Sequence, residues 1–390
     1  MAVSMEASER GGSYQRQPGG HRAFIPAALP PEPPVAIDDA LQDLLSRADR
    51  ALGRLDGSIQ TLPHPDLFVA MYVRKEAVLS SQIEGTQSSL HDLLAAEARI
   101  LSADAPADVD EIVNYVAAMN HGLGRLEEIP VSVRLLRELH ERLLRGVRGQ
   151  HLTPGEFRRT QNWIGPLGCD IHEATFVPPP PGSVPDAIAD LERFLHAESR
   201  LPLLVRIGLA HAQFETIHPF LDGNGRLGRL LITFLLCEKD VLQKPVLYLS
   251  WYFKRHRDRY YDALQAVRDA GDWEGWLEFF LQGVFEVSQQ ATQTARRIQE
   301  LRETHRQQVI DAFGRSAGNG QRVLDYLFEH PIVAVKDVQG LTGTTYPAAN
   351  ALVGQFEANG ILQEATGRKR NRRFRYDEYI RLFHDEEIDA

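Results

Sequence analysis

Between positions 218 and 229 the chain gathers His218, Asp222, Gly223, Asn224, Gly225, Arg226, Gly228 and Arg229. A histidine with an ordinary pKa of about 6.5 can take a proton from a hydroxyl near neutral pH. An aspartate beside bound phosphates suits Mg²⁺, which favours one or two carboxylates together with phosphate oxygens. Gly223-Asn224-Gly225 leads into an apolar run, Leu227, Leu230, Leu231, Ile232, Phe234, Leu235 and Leu236, that reads as a buried helix. The start of such a helix offers free backbone N–H groups to an anion, most often phosphate. Glycine lets that anion come close to the backbone. Arg226 and Arg229 share a face of the same helix. The helix dipole disfavours each by roughly 0.3–1 kcal/mol, and a polyphosphate would compensate. Plainer readings stand beside these: a structural histidine before a proline, an aspartate forming a turn, and two arginines paired to carboxylates elsewhere. No GKS or GKT follows the glycines, so this is no Walker loop. A helix precedes them in place of a strand, which excludes the dinucleotide fingerprint.

The elements that must position these residues read as mostly helical. Apolar spacing predicts helices over 36–55, from 65 into the 80s, and over 109–123, 131–144, 184–196, 203–216, 250–270 and 273–313. The stretch 161–181 differs: two short strand patterns, 162–164 and 175–177, flank turn residues and suggest a β-hairpin. Prolines 178–181 forbid a helix there. Residues 1–36, rich in Gly, Pro and Ser, read as a mobile or Pro-rich tail. Residues 314–320, GRSAGNG, read as a domain boundary.

The 390 residues suggest two or three domains, and 43% hydrophobic with 25% charged residues is ordinary for a soluble globular protein. A net charge of −10 excludes a general polyanion binder, so any nucleic-acid contact needs a local basic patch. Cys169 and Cys237 lie far apart, which argues against a disulfide framework or a cysteine zinc site. No run of about 18 apolar residues and no signal-like apolar core occurs, so no membrane contact is expected and the cytoplasm is the default location.

Residues 218–229, HPFLDGNGRLGR, resemble the Fic motif HPFx(D/E)GNGRxxR at every position. The resemblance implies a protein adenylyltransferase that moves AMP from ATP to a hydroxyl side chain of a target protein. It implies His218 as general base and Asp222 as the Mg²⁺ ligand. Asn224 and the Gly223–Gly225 backbone would support the phosphates, Arg226 would contact them, Gly228 would belong to the nucleotide site, and Arg229 would grip the γ-phosphate. Phe220 would anchor the loop in the core. Gly155-Glu156-Phe157-Arg158 and Gln161-Asn162-Trp163-Ile164-Gly165 are similar to the family segment entering a hairpin "flap" that holds the target backbone as an added strand. Residues from Tyr248 onward are similar too, and the likeness spans about 37–290.

Ser80-Ser81-Gln82-Ile83-Glu84-Gly85 fits the family's inhibitory pattern, S/T-x-x-x-E-G/N. Ser80 and Glu84 share a helix face. The resemblance implies that Glu84 pairs with Arg229 and keeps the γ-phosphate from seating. Removal of AMP at the same site is an alternative activity in such relatives. A DNA-binding regulator whose Fic domain senses nucleotide is another.

Beyond 320 the pattern changes. Helices over 321–330, 335–341 and 347–359, then strands over 361–365 and 372–376 around TGRKRN, resemble a winged helix-turn-helix. The basic stretch 366–375 is the candidate DNA contact, a homodimer the candidate assembly, and the target protein is unknown. The expected fold is therefore mainly α: a Fic-type helical bundle with a β-hairpin flap, followed by a small winged helix domain. Its expected divisions are 1–36 tail, 37–125 N-terminal helical region with the inhibitory helix, 126–290 catalytic core, 291–320 linker helix and boundary, and 321–390 winged module.

Overall fold

The computed structural model describes residues 9–60, 65–100, 106–166, 168–368 and 370–383. Its elements run β1 (Gly12–Arg16), β2 (Arg22–Pro26), α1 (Asp39–Gln60), α2 (Pro65–Ile83), α3 (Leu90–Glu97), α4 (Val109–Leu126), α5 (Val133–Leu143), α6 (Val184–His196), α7 (Leu203–Ile217), α8 (Asn224–Glu238), α9 (Ser250–Arg255), α10 (Arg257–Ala270) and α11 (Trp273–Ala312). Then come α12 (Ala317–Glu329), β3 (Ile332–Ala334), α13 (Val335–Thr342), α14 (Tyr346–Ala358), β4 (Gln363–Glu364), β5 (Arg373–Arg375) and α15 (Asp377–Arg381).

Helical spacing of apolar residues builds the bundle. Leu41, Leu44, Leu45, Ala48, Leu52, Leu55 and Ile59 form one buried stripe on α1, which lies along α11. Asp272 caps the 40-residue α11 by accepting from the Gly275 N–H at 2.9 Å, and at 1.5 Å per residue the helix runs about 60 Å. At the centre lie α7 and α8, buried along nearly their whole length and packed on each other. Helices α2, α4 and α5 surround α8, while α6, α10 and α11 cover α7. The loop 218–223 between α7 and α8 is thus held by core on both sides.

The described part of the expected tail is folded. Strands β1 and β2 pair antiparallel, Tyr14 opposite Phe24. Phe24 is fully buried beside Phe176, and Arg10 holds both carboxylate oxygens of Glu274 at 2.9 Å. The signal was present in the sequence: Gln17-Pro18-Gly19-Gly20-His21 is a turn between two strand-compatible runs. The expected flap hairpin is reduced to one bridge, in which Ile164 and Phe176 exchange N–H···O bonds of 2.8 and 3.0 Å. Phe24 N–H also donates to Val177 O at 2.9 Å, so β2 runs beside the flap.

Residues 314–320 cover the turn between α11 and α12. A short 3₁₀ turn ends α11, and the remaining residues are the first turn of α12. Gly320 is small for packing: a Cβ there would lie 2.7 Å from Val309 and 2.9 Å from the Phe313 ring. The expected 250–270 helix is two, broken at His256, whose φ of −115° and ψ of 41° are not helical. The C-terminal unit packs on the core: α12 lies against α2, and the Phe383 ring meets Tyr72 edge-on at 5.4 Å. Its sheet has the order β3-β5-β4, with β3 an addition to the two strands expected. Among the described residues no helix is long and apolar enough to cross a membrane.

Candidate functional site

Helix α7 ends where His218 takes a left-handed conformation, φ 48° and ψ 60°. A side chain pays for that geometry, so the neighbours must hold it. Arg158 donates to His218 O at 2.9 Å and to Ile217 O at 3.3 Å, and Asn162 donates to Phe220 O at 2.9 Å. The Asn224 side chain grips the Phe220 peptide on both sides, accepting from its N–H at 2.9 Å and donating to its O at 2.8 Å. Asn224 therefore braces the loop with its side chain. Phe220 is fully buried, stacked on His140 at 3.8 Å, as an anchor should be. His140 accepts from Gly155 N–H and so donates through Nε2 to Asp222 O at 2.9 Å; burial pushes its pKa down to about 4.

Gly223, at φ 75°, starts α8, and the first backbone N–H groups of that helix face the loop. Asp222 Oδ1 accepts from Gly223 N–H at 2.7 Å, which is the turn role weighed above. Its Oδ2 faces Gly149, where a Cβ would sit 2.6 Å away, so glycine keeps that side of the carboxylate free of a side chain. Both arginines have carboxylate partners. Arg226, 1% exposed, donates to Glu111 Oε2 at 2.9 Å. Arg229 donates to Ser80 Oγ at 2.8 Å, Ser80 O at 3.0 Å and Glu84 Oε1 at 2.7 Å. Burial alone would raise the Glu84 pKa, but Arg229 and Arg226 outweigh it and hold the carboxyl below its usual range.

Glu84 stands just beyond the last residue of α2, at a turn ended by Gly85 with φ 98°. Gly85 thus serves the backbone. The motif glycines make room for carboxylates: a Cβ on Gly225 would lie 2.2 Å from Glu84 Oε1, and one on Gly228 would lie 2.3 Å from Glu215 Oε1 and 3.1 Å from the Phe214 ring. Gly228 faces Glu215 and Phe214. Gly228→Ala should accordingly lose about 1–3 kcal/mol of stability through overpacking, read as a lower unfolding midpoint.

His218 is largely buried, and burial, with Arg158 and Arg268 nearby, pushes its pKa down to about 4. It is neutral at pH 7 and able to accept a proton. Buried polar atoms without a partner cluster around this loop: His218 Nδ1, Glu215 Oε1, Arg226 Nε, Arg158 Nη1 and Asn162 Oδ1. An open cleft of about 570 Å³ adjoins it, lined by Gly85, Asp108, Glu111, Gly149 and His151 among others. The chain thus brings His218, Asp222, Gly223, Asn224, Gly225, Arg226, Arg229, Ser80 and Glu84 to one place. Sequence reasoning missed Glu111, His140 and Glu215. Glu111 lies 115 positions from Arg226, and no local pattern links them.

Two family models match the chain: "Fic/DOC family N-terminal" over 42–124 and "Fic/DOC family" over 130–236. A protein adenylyltransferase Fic of Drosophila yakuba is 28% identical over 247 residues, 62% of this chain and 44% of that protein. One of Culex quinquefasciatus is 34% identical over 206 residues, 50% and 37%. A probable protein adenylyltransferase of Aquifex aeolicus is 27% identical over 210 residues, 52% and 57%. The chain therefore spans between 37% and 57% of the length of these curated relatives. In fold it is similar to a Fic family protein from Desulfovibrio desulfuricans, with a TM-score of 0.57 and 21% identity over 88% of this chain and 97% of that one. A Fic domain containing signaling protein from Bacteroides thetaiotaomicron gives a TM-score of 0.50 at 19% identity, over 65% and 96%.

Proposed function

We propose, from its matches to the Fic/DOC family models at 42–124 and 130–236, that this chain is a protein adenylyltransferase held in check by Glu84. The observation that carries the reading is the α7–α8 junction. It joins a neutral histidine, a helix N-terminus and two buried arginines, one of them already gripped by Ser80 and Glu84.

In this reading ATP lies with its phosphates on the first N–H groups of α8. His218 takes the proton of the target hydroxyl. The freed oxygen attacks the α-phosphorus, and pyrophosphate leaves. Arg226 and Arg229 balance the phosphate charge. Asp222 would hold Mg²⁺, since a single carboxylate with one side free fits an ion that completes its shell with phosphate oxygens. That ion would supply charge neutralisation across the phosphates. The strand-like segment around Ile164 and Phe176, with the exposed Trp163 beside it, would dock the target backbone. Residues 37–125 would serve as the regulatory helical region and 126–290 as the catalytic core. The test uses Glu84→Gly protein with ATP labelled at the α or the γ phosphate. Only α label should stay on protein; retained γ label would mean phosphoryl transfer and overturn the reading.

A second reading concerns the C-terminal unit. The succession α12, β3, α13, α14, β4, β5 has the order of a winged helix, and Arg368 and Arg370 are exposed at the turn between β4 and β5. Lys369 lies outside the described residues. Fewer cations are free than the sequence suggests, because Asp337 pairs with Arg373 and Asp377 with Arg375. Weak DNA binding by the full chain that falls steeply with salt would support this contact.

A further inference from the structure

Glu215, on the last turn of α7, is used by nothing described so far. Its side chain is 9% exposed, its Oε1 has no hydrogen-bond partner, and its Oε2 lies 4.0 Å from His218 Nδ1. That Nδ1 is itself buried, and the backbone carbonyl of Glu215 is the other acceptor near it. The carboxylate and the imidazole thus face each other through Oε2 and Nδ1 beside the reacting loop. The fold makes room for the carboxylate, because Gly228 on α8 carries no Cβ to collide with Oε1. Among the described residues no arginine or lysine is bonded to the carboxylate directly. Arg229 on α8, Arg268 and Tyr260 on α10 and Glu84 beyond α2 set its field, and burial pushes its pKa up to about 7. Arg268 donates to the backbone of this turn, at Glu215 O.

The carboxylate and the backbone carbonyl of Glu215 both stand near His218 Nδ1, and a proton held at Nδ1 leaves the lone pair at Nε2. We propose that Glu215 is the positioning residue of the base: its carboxylate accepts the Nδ1–H of His218 and leaves Nε2 unprotonated toward the target hydroxyl. When Nε2 gains the hydroxyl proton, the ionised carboxylate balances the charge of the imidazolium. Closing 4.0 Å to a hydrogen bond takes about 1 Å of side-chain rotation, within the looseness common before substrate binds. This inference rests on the proposed activity for its kinetic consequence, but not for its structural one.

Nitrogen-15 NMR of histidine-labelled protein, with His218 assigned by its absence in His218→Asn, reads the tautomer directly. At about pH 8.5 Glu215 is ionised and His218 neutral. Wild type should then show Nδ1–H, and Glu215→Gln should shift His218 to a mixture. In the Glu84→Gly background, Glu215→Gln should also lower kcat roughly 10–100-fold, the size of effect seen for groups that orient a histidine. KM for ATP should change little, and Glu215→Asp should recover part of kcat. An Nε2–H tautomer in wild type overturns the proposal even if the variant does not fold. So does an unchanged tautomer in Glu215→Gln, which would assign the Nδ1–H to the Glu215 carbonyl. A protein that transfers no AMP would sink the proposed activity and leave the pairing to the NMR result.

Discussion

In the Glu84→Gly protein, AMP incorporation from α-labelled ATP should exceed that of wild type by about 10–100-fold, the equivalent of one lost charge-assisted bond. A carboxylate and a γ-phosphate compete for one guanidinium. Glu84 Oε1 occupies Arg229 Nη2 at 2.7 Å, while Ser80 accepts from Nε through Oγ and from Nη2 through its carbonyl. Removing the carboxylate frees one edge of Arg229 and removes a negative charge beside the triphosphate. The cost is small, since Glu84 sits past the end of α2, where glycine loses less than the roughly 1 kcal/mol of a helix interior. Most substitutions destabilise or do nothing, so a gain is a sharp outcome. The double variant Glu84→Gly with Arg229→Ala should lose it. Label counted on the protein itself and on a lysate decides; no increase over wild type means that Glu84 does not inhibit.

Replacing His218 should have the opposite effect: transfer in the Glu84→Gly background should drop about 10²–10⁴-fold while nucleotide affinity stays within about twofold. The imidazole is neutral, with a pKa pushed down to about 4, and no phosphate-binding group depends on it. Its left-handed backbone makes alanine a poor choice, because only glycine and asparagine-like residues adopt φ 48° readily. His218→Asn keeps the loop and removes the base, so it is the cleaner variant. Calorimetric ATP titration beside labelled transfer separates the two effects. Near-normal turnover would remove His218 from the chemistry.

The sequence already displayed what is local. The buried α8 is legible in its apolar run, and the meeting of Ser80 and Glu84 with Arg229 follows from the family resemblance. What pairs across the fold was not legible. Arg226 finds Glu111, the Phe220 ring finds His140, and Glu215 turns back on His218 with nothing in spacing to announce it. Gly228 belongs to the nucleotide site by the resemblance alone, and spacing does not announce that its missing Cβ makes room for the Glu215 carboxylate. The stretch 314–320 reads as a boundary from its turn residues, and within it Gly320 is also a contact between α12 and α11. Glycine counts identify tight places without saying what fills them.

Helix α2 is clasped along its length by α4, α9 and α12, and Tyr72 near its middle bonds to Ala291 O at 3.0 Å on α11. The carboxylate at its end is therefore a tethered ligand with a fixed, high effective concentration at Arg229. Its occupancy is unimolecular, the same at any dilution of the protein. Extra ATP faces a competitor that cannot diffuse away, so concentration alone is a weak lever on this contact. A strong lever loosens the single turn between Ser81 and Gly85, whose local opening costs far less than undocking the helix.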